Sequence, residues 1–260
     1  MQNQESLDLR DYTIERSISV GGDAEIYLGL HLGTQTQRAL KIVQRRPAET
    51  QDQFNARLSR LAYEKKLLEE LRHNNVIRLL DAGQEGNVSF LGLELVNIKY
   101  TDLRKLLTEA AAGLDFVHSQ GYVHNDVSLD NLLTREDGTV VLLDFGSASR
   151  VDEPASTFGK HKFMAPERIG GAPVDGRADQ FSLAVVAFES ITGKYPFLGE
   201  GQTVLNAIVK DPPLTLAAAG KIAAAHLQWV FDKAFKKHPS DRFESSSKFT
   251  DALSQGPKPN

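Results

Sequence analysis

His124-Asn125-Asp126-Val127-Ser128-Leu129-Asp130-Asn131, followed a short turn later by Asp144-Phe145-Gly146, gathers the residue types that phosphoryl transfer needs. An Asp can orient and deprotonate a hydroxyl. An Asn and a second Asp supply hard oxygen ligands that can hold Mg²⁺ against triphosphate oxygens. Asp and Asn are also common turn residues, so the signal lies in their joint spacing. Taken alone, the stretch leaves the acceptor open between a protein hydroxyl and a small molecule.

Such a loop must be held by ordered elements on either side. Upstream, apolar and polar residues alternate over 12–20, 25–31 and 37–43, which predicts antiparallel strands. A polar stretch then leads into 54–72, where Leu58, Leu61, Leu67, Leu68 and Leu71 recur at roughly helical spacing. Two further apolar runs, 76–80 and 88–96, flank the turn sequence GQEGN and complete a small sheet. From Asp102 the pattern turns helical, with helices expected around 103–117, 180–191, 222–235 and 246–253 and a short buried strand at 140–143. The reading is α+β, one domain over 1–260 with a small sheet lobe at about 11–96, a larger helical lobe at about 97–254 and a loose tail at 255–260. Trp229 falls in a helical apolar pattern and is assigned to the core.

A chain of 260 residues that is 41% hydrophobic can bury a core of this size. Its net charge of -4 gives no broad basic surface, so nucleic acid is not an expected partner. Cysteine is absent, which excludes disulfides, thiol nucleophiles and thiolate metal sites. The polar N-terminus lacks signal-peptide character, and no apolar run approaches the roughly 20 residues of a membrane span. These features predict a soluble, cytoplasmic protein of unspecified oligomeric state.

From about Tyr12 to Leu253 the chain resembles the eukaryotic-type (Hanks-type) protein kinases. Ala39-Leu40-Lys41 ends the third strand, where the family places the lysine that binds the α- and β-phosphates of ATP, and Glu64 on the long helix matches its carboxylate partner. Ser19-Val20-Gly21-Gly22-Asp23-Ala24 occupies the glycine-rich loop, with Gly21 retained and Gly22 beside it. The resemblance makes Asp126 the base and aligner of the substrate hydroxyl, Asn131 and Asp144 the Mg²⁺ ligands, and His124 a structural partner of Phe145, with Leu68 and Leu79 in the same column. It places Ile26, Ala39 and Leu133 around the adenine, the backbone of Glu94 and Val96 along its edge, and Leu93 as gatekeeper. Met164-Ala165-Pro166-Glu167 matches the end of the activation segment, Asp179 begins a buried helix, and Arg242 is expected to pair with Glu167. These later markers point to the protein branch, away from small-molecule phosphotransferases.

Four departures stand out. Asn125 replaces the arginine that in many relatives reads a phosphate on the activation loop, so phosphorylation there is not expected to be required, although Ser147, Ser149, Ser156 and Thr157 can be modified. The connection at 97–101 is shorter than the family norm, which implies fewer walls around the ribose. Ser128 stands where Ser/Thr kinases have a lysine that neutralises the γ-phosphate, and Lys160 stands where they have a threonine. Either the two residue types are exchanged, with Lys160 folding back toward Asp126 and Ser128 as its hydroxyl partner, or Lys160 is a solvated member of the Lys160-His161-Lys162 cluster. The resemblance implies an ATP- and Mg²⁺-dependent kinase of a protein substrate, Ser/Thr in preference to Tyr. A pseudokinase scaffold is the alternative, favoured by the depleted glycine loop, and a small-molecule phosphotransferase is a more distant one.

Overall fold

The computed structural model describes residues 9–96, 102–154 and 159–255. The chain divides into two compact units, Met1–Arg72 with Ile77–Asn97, and His73–Val76 with Ile98–Asn260. The first is an antiparallel sheet with one helix and the second is mostly helical, an α+β protein kinase-like fold as expected. The short connection at 97–101, Ser156 and Thr157, and the tail beyond Gln255 lie outside the described residues. No helix among those described is long and apolar enough to cross a membrane.

In the first unit, strands β1 (Tyr12–Val20), β2 (Glu25–His31) and β3 (Thr36–Gln44) are followed by helix α1 (Gln51–Glu70), β4 (Leu79–Glu85) and β5 (Val88–Glu94), and the sheet order is β1-β2-β3-β5-β4. The two-residue period of β3 decides what its lysine can reach. Leu40 and Ile42 enter a cluster with Leu9, Tyr12, Tyr27 and Phe90, while Val43 packs with Leu61 of α1. Lys41 shares the face of Val43 and is directed toward the helix. Apolar spacing put the start of α1 at Phe54, but the helix begins three residues earlier. Thr50 and Gln53 form a reciprocal capping box, the Thr50 hydroxyl accepting from the Gln53 N–H at 3.3 Å and the Gln53 side chain accepting from the Thr50 N–H at 3.0 Å. The run 76–80 is not a strand as expected. Val76 and Ile77 are buried, yet β4 starts only at Leu79 and continues through the polar residues to Glu85, because its ladder partner β5 supplies the pairing.

The second unit begins with α2 (Leu103–Ser119), capped by Asp102, whose carboxylate accepts from the Lys105 N–H at 3.1 Å. Short strands β6 (Tyr122–Val123), β7 (Leu132–Thr134), β8 (Val140–Leu142) and β9 (Ser149–Arg150) form two small antiparallel pairs, β6 with β9 and β7 with β8. Then come α3 (Pro166–Ile169), α4 (Gly176–Thr192), α5 (Gln202–Lys210), α6 (Gln228–Ala234) and α7 (Ser246–Gln255). Helix α4 is buried on all sides over Ala178–Phe188, and α2, α6 and α7 pack around it. Phe181, Phe188, Phe231 and Phe235 interlock there at centroid separations of 5.3–6.2 Å.

The helix expected over 222–235 is divided, with 3₁₀ turns at Ile222–Leu227 preceding α6. Ile222 is 76% exposed and no side chain described over 222–227 is buried, so the start of the run lacks support for an α-helix, whereas Val230, Phe231 and Ala234 are fully buried. Trp229 is not core: it is 41% exposed and leans on Phe243 at 6.4 Å between ring centroids.

Candidate active site

In the first unit, Lys41 Nζ donates to Glu64 Oε2 at 2.6 Å, with side chains 10% and 1% exposed. Strand parity and the position of Glu64 on the inner face of α1 bring the pair together without long-range adjustment. Ile26 lies opposite Lys41 on the neighbouring strand, and Ala39 lies between Leu28 and Leu93, the position expected to be the gatekeeper. The Glu94 N–H donates to the Arg78 carbonyl at 3.0 Å and its carboxylate accepts from Arg78 N, Nε and Nη2 at 2.8–3.0 Å, while Val96 is buried at the end of the unit. Neither Gly21 nor Gly22 adopts positive φ. A Cβ on Gly21 would meet the Ala24 carbonyl at 3.1 Å, and one on Gly22 would meet nothing within 4 Å. The loop therefore uses glycine for close approach at one position only.

In the second unit the loop 124–131 hangs from a buried carboxylate. Asp179, fully buried at the start of α4, accepts from the backbone N–H groups of His124 and Asn125 at 2.7 and 2.8 Å and lies 2.8 Å from His118 Nε2. Burial alone would raise its pKa, but the hydrogen bond and charge of His118 and the contributions of His124 outweigh this and hold it below the ordinary value. Asn125 turns through φ 66°. Its amide donates to the carbonyls of Val123 and Ser147 and to Ser149 Oγ at 2.9–3.3 Å, so this buried side chain joins the loop to β9.

Asn131 Nδ2 donates to both the carbonyl and a carboxylate oxygen of Asp126, each at 2.7 Å. With its two N–H bonds used, the amide oxygen of Asn131 is left as the acceptor that a cation requires. The Asn131 carbonyl accepts from the Leu143 N–H at 2.9 Å, which ties Asp126, Asn131 and the strand leading into Asp144 into one network. Asp144 takes φ 60° and its carboxylate accepts from the Gly146 N–H at 3.2 Å. Phe145 is fully buried with its ring edge-on to His124 at 4.7 Å, and Leu133 lies opposite Val141 in the β7–β8 pair. No cluster of three His, Cys, Asp or Glu side chains able to hold a metal occurs among the described residues. An Asn and Asp pair nonetheless fits Mg²⁺, which uses one or two protein oxygens and takes the rest from water and phosphate.

Lys160 reaches the loop 124–131 from a separate segment. Its Nζ donates to Ser128 Oγ at 2.6 Å and to Asp130 Oδ2 at 2.9 Å, whereas Lys162 turns away to Glu200 at 2.5 Å, above the Tyr195 ring. Arg242 forks onto Glu167 through two bonds of 2.8 and 2.7 Å, both side chains buried. Arg168, a residue that no motif in the sequence marks, is also buried, and its guanidinium donates to the Asn125 carbonyl. Burial lowers its pKa, against the attraction of Asp179 and Asp126. Its only signal in the sequence is its place directly after Glu167, which does not say which way the side chain turns.

The family model for the protein kinase domain matches residues 12–252, from β1 into α7. Among curated proteins, the serine/threonine-protein kinase PknF of Mycobacterium tuberculosis is 29% identical over 269 aligned positions, covering 93% of this chain and 55% of that protein. PknL of the same species is 31% identical over 214 positions, covering 75% of this chain and 52% of that protein, and Pkn1 of Myxococcus xanthus is 27% identical, covering 93% and 38%. The chain thus spans about half the length of these relatives, or less. With the match running through every element that holds Lys41, Asp126, Asn131 and Asp144, the chain belongs to the protein kinase domain family.

Proposed function

We propose that this chain is an active protein kinase that transfers the γ-phosphoryl group of ATP, with Mg²⁺, to a serine or threonine hydroxyl of a protein substrate. The observation that carries the reading is the bonded pair Asp126 and Asn131, in which the amide is turned to leave its oxygen for a cation while one of its N–H bonds holds the Asp126 carboxylate and the other the Asp126 backbone carbonyl. The names of the relatives support the serine/threonine assignment.

Lys41 would bind the α- and β-phosphates, held in place by Glu64. Asn131 and Asp144 would hold Mg²⁺, which when bound neutralises charge on the triphosphate oxygens. Asp126 orients the substrate hydroxyl and takes its proton as the new O–P bond forms and the bond to the leaving ADP oxygen breaks. Lys160 supplies the cation that Ser128 cannot. Its contact with the Ser128 hydroxyl supports the exchange of residue types, since charge stabilisation depends on where the ammonium sits and not on which segment carries it. The buried Asn125 amide, whose NH2 group is taken up by Val123, Ser147 and Ser149, supports phosphorylation-independent activity, because it presents no cation to a phosphate.

Purified protein incubated with γ-labelled ATP and Mg²⁺, beside an Asp126→Ala control, tests the reading. Label on Ser or Thr of protein, lost in the control and unchanged by prior phosphatase treatment of the enzyme, is the expected result. Nucleotide binding without Asp126-dependent transfer would instead favour the scaffold, to which the missing glycines of the loop point.

A further inference from the structure

The glycine-rich loop has lost two of the family's three glycines, yet its backbone is held by arginines. Arg46, just beyond β3, donates Nη2 to the Gly21 carbonyl at 2.6 Å and Nη1 to the Gly22 carbonyl at 2.7 Å. Arg57 of α1 donates Nε to the Asp23 carbonyl at 2.7 Å and is itself fixed by the Gln44 carbonyl at 3.2 Å and both Glu49 carboxylate oxygens at 2.9 Å. Arg60, one turn along α1, pairs with the Asp23 carboxylate, the one negative side chain in the loop. Three consecutive carbonyls are thus tied to two guanidinium groups.

A trans peptide sets the N–H of each following residue antiparallel to the carbonyl before it. Anchoring the carbonyls of Gly21, Gly22 and Asp23 on the arginines therefore turns the N–H groups of Gly22, Asp23 and Ala24 away from them. None of these three donates a hydrogen bond among the described residues. A run of outward N–H groups backed by positive charge is the arrangement that binds phosphate oxygens. We propose that Arg46 and Arg57 are positioning residues for the nucleotide phosphates: they hold the loop with its amides presented, doing by hydrogen bonding what the family does with unhindered glycine. Arg60 keeps the Asp23 carboxylate from opposing the anion. Arg57, Arg60 and Glu64 recur along one side of α1, so the helix that fixes Lys41 also fixes the loop.

The inference rests on the nucleotide-binding part of the proposed function, and it is tested without phosphoryl transfer. Dissociation constants for MgATP and for adenosine, which has no phosphate, are measured by calorimetry on the full chain. Arg46 is the primary target because its side chain is partly exposed and its loss need not disturb folding. Arg46→Met is expected to weaken MgATP about tenfold, the worth of a charge-assisted hydrogen bond, and to leave adenosine unchanged. Arg46→Lys should fall between, since it keeps the charge and loses the planar fork. Arg45→Met, the same charge change one residue away, should leave the ratio of the two constants as in the wild type. Arg57→Met, if it folds, should behave as Arg46→Met.

An equal loss for adenosine and MgATP, or no loss for either, overturns the proposal, and so does a wild-type chain that binds no MgATP. A chain that binds MgATP with the expected ratios and transfers no phosphate to protein leaves the clamp standing while the proposed catalytic activity fails.

Discussion

Each unit holds one of the two candidate site lysines against a carboxylate, and the two pairs are built in opposite ways. Lys41 and Glu64 meet at 2.6 Å with both side chains nearly out of solvent, one on a central strand and the other on a packed helix. Lys160 and Asp130 meet at 2.9 Å with side chains 36% and 81% exposed, on segments with little regular structure. An exposed pair of this kind contributes about 0–1 kcal/mol, whereas removing one member of a buried pair costs about 3–5 kcal/mol. The contrast suits the two tasks assigned to them. A lysine that anchors phosphates through a whole cycle is best held rigidly. A lysine that must follow a transferring group is best tethered loosely, so that leaving its partner costs little.

The largest effect is expected at the rigid pair. Lys41→Met leaves a buried carboxylate without its ammonium, so the small unit should lose about 3–5 kcal/mol by denaturant titration and label transfer should fall to background. Full stability in that variant would mean that the pair is not held as its burial implies.

Arg242 and Glu167 ask whether burial or the choice of unit sets the scale, since they form a buried, forked pair inside the same unit as Lys160. Arg242→Ala should destabilise the large unit by about 3–5 kcal/mol, as Lys41→Met does the small one. The same unit should be acid-labile through Asp179. Its pKa is lowered on folding, so its contribution is fully present above the ordinary carboxylate range and is lost as pH falls through the lowered value. Asp179→Asn should therefore flatten the acid side of the stability–pH profile, and an unchanged profile would show that the acid transition has another source.

Sequence made the rigid elements legible and left the loose ones open. The third strand and the long helix can be placed from period, because regular structure fixes side-chain direction, and the resemblance to protein kinases then implies the roles of Lys41, Glu64, the loop 124–131 and the Glu167–Arg242 pair. The two candidate roles of Lys160 could not be separated, since a lysine's four-carbon stem reaches in any direction from an irregular backbone. The arginine clamp was invisible for a related reason. Arg46 and Arg57 read as surface charges on a polar stretch and a helix, and nothing local says that their targets are carbonyls more than 20 residues upstream. Trp229 shows the reverse: a large apolar ring inside an apolar period need not face inward, because the α6 face that packs is carried by Val230, Phe231 and Ala234.

Lys160→Met should separate stability from chemistry. The folded state should change by less than about 1 kcal/mol, as for other exposed pairs, while kcat falls about 10²-fold or more through loss of a charge that acts on the transferring group. A Lys160→Arg variant should recover part of that loss, and equal activity in the Met and wild-type proteins would return Lys160 to the solvated cluster.

The smallest effect is the most discriminating. If Asp130 only parks the Lys160 ammonium, Asp130→Asn frees it, and kcat/KM should stay level or rise by at most about fivefold, the factor equivalent to 1 kcal/mol. Raising salt should mimic the substitution in the wild type, because a pair this exposed is screened at a Debye length of about 10 Å in 0.1 M salt, and it should have no such effect in the variant. If Asp130→Asn instead loses as much activity as Lys160→Met, the carboxylate is holding the ammonium in its working position. The loose pair would then be a rigid one in function despite its exposure, and the Ser128 hydroxyl alone could not hold Lys160 in place.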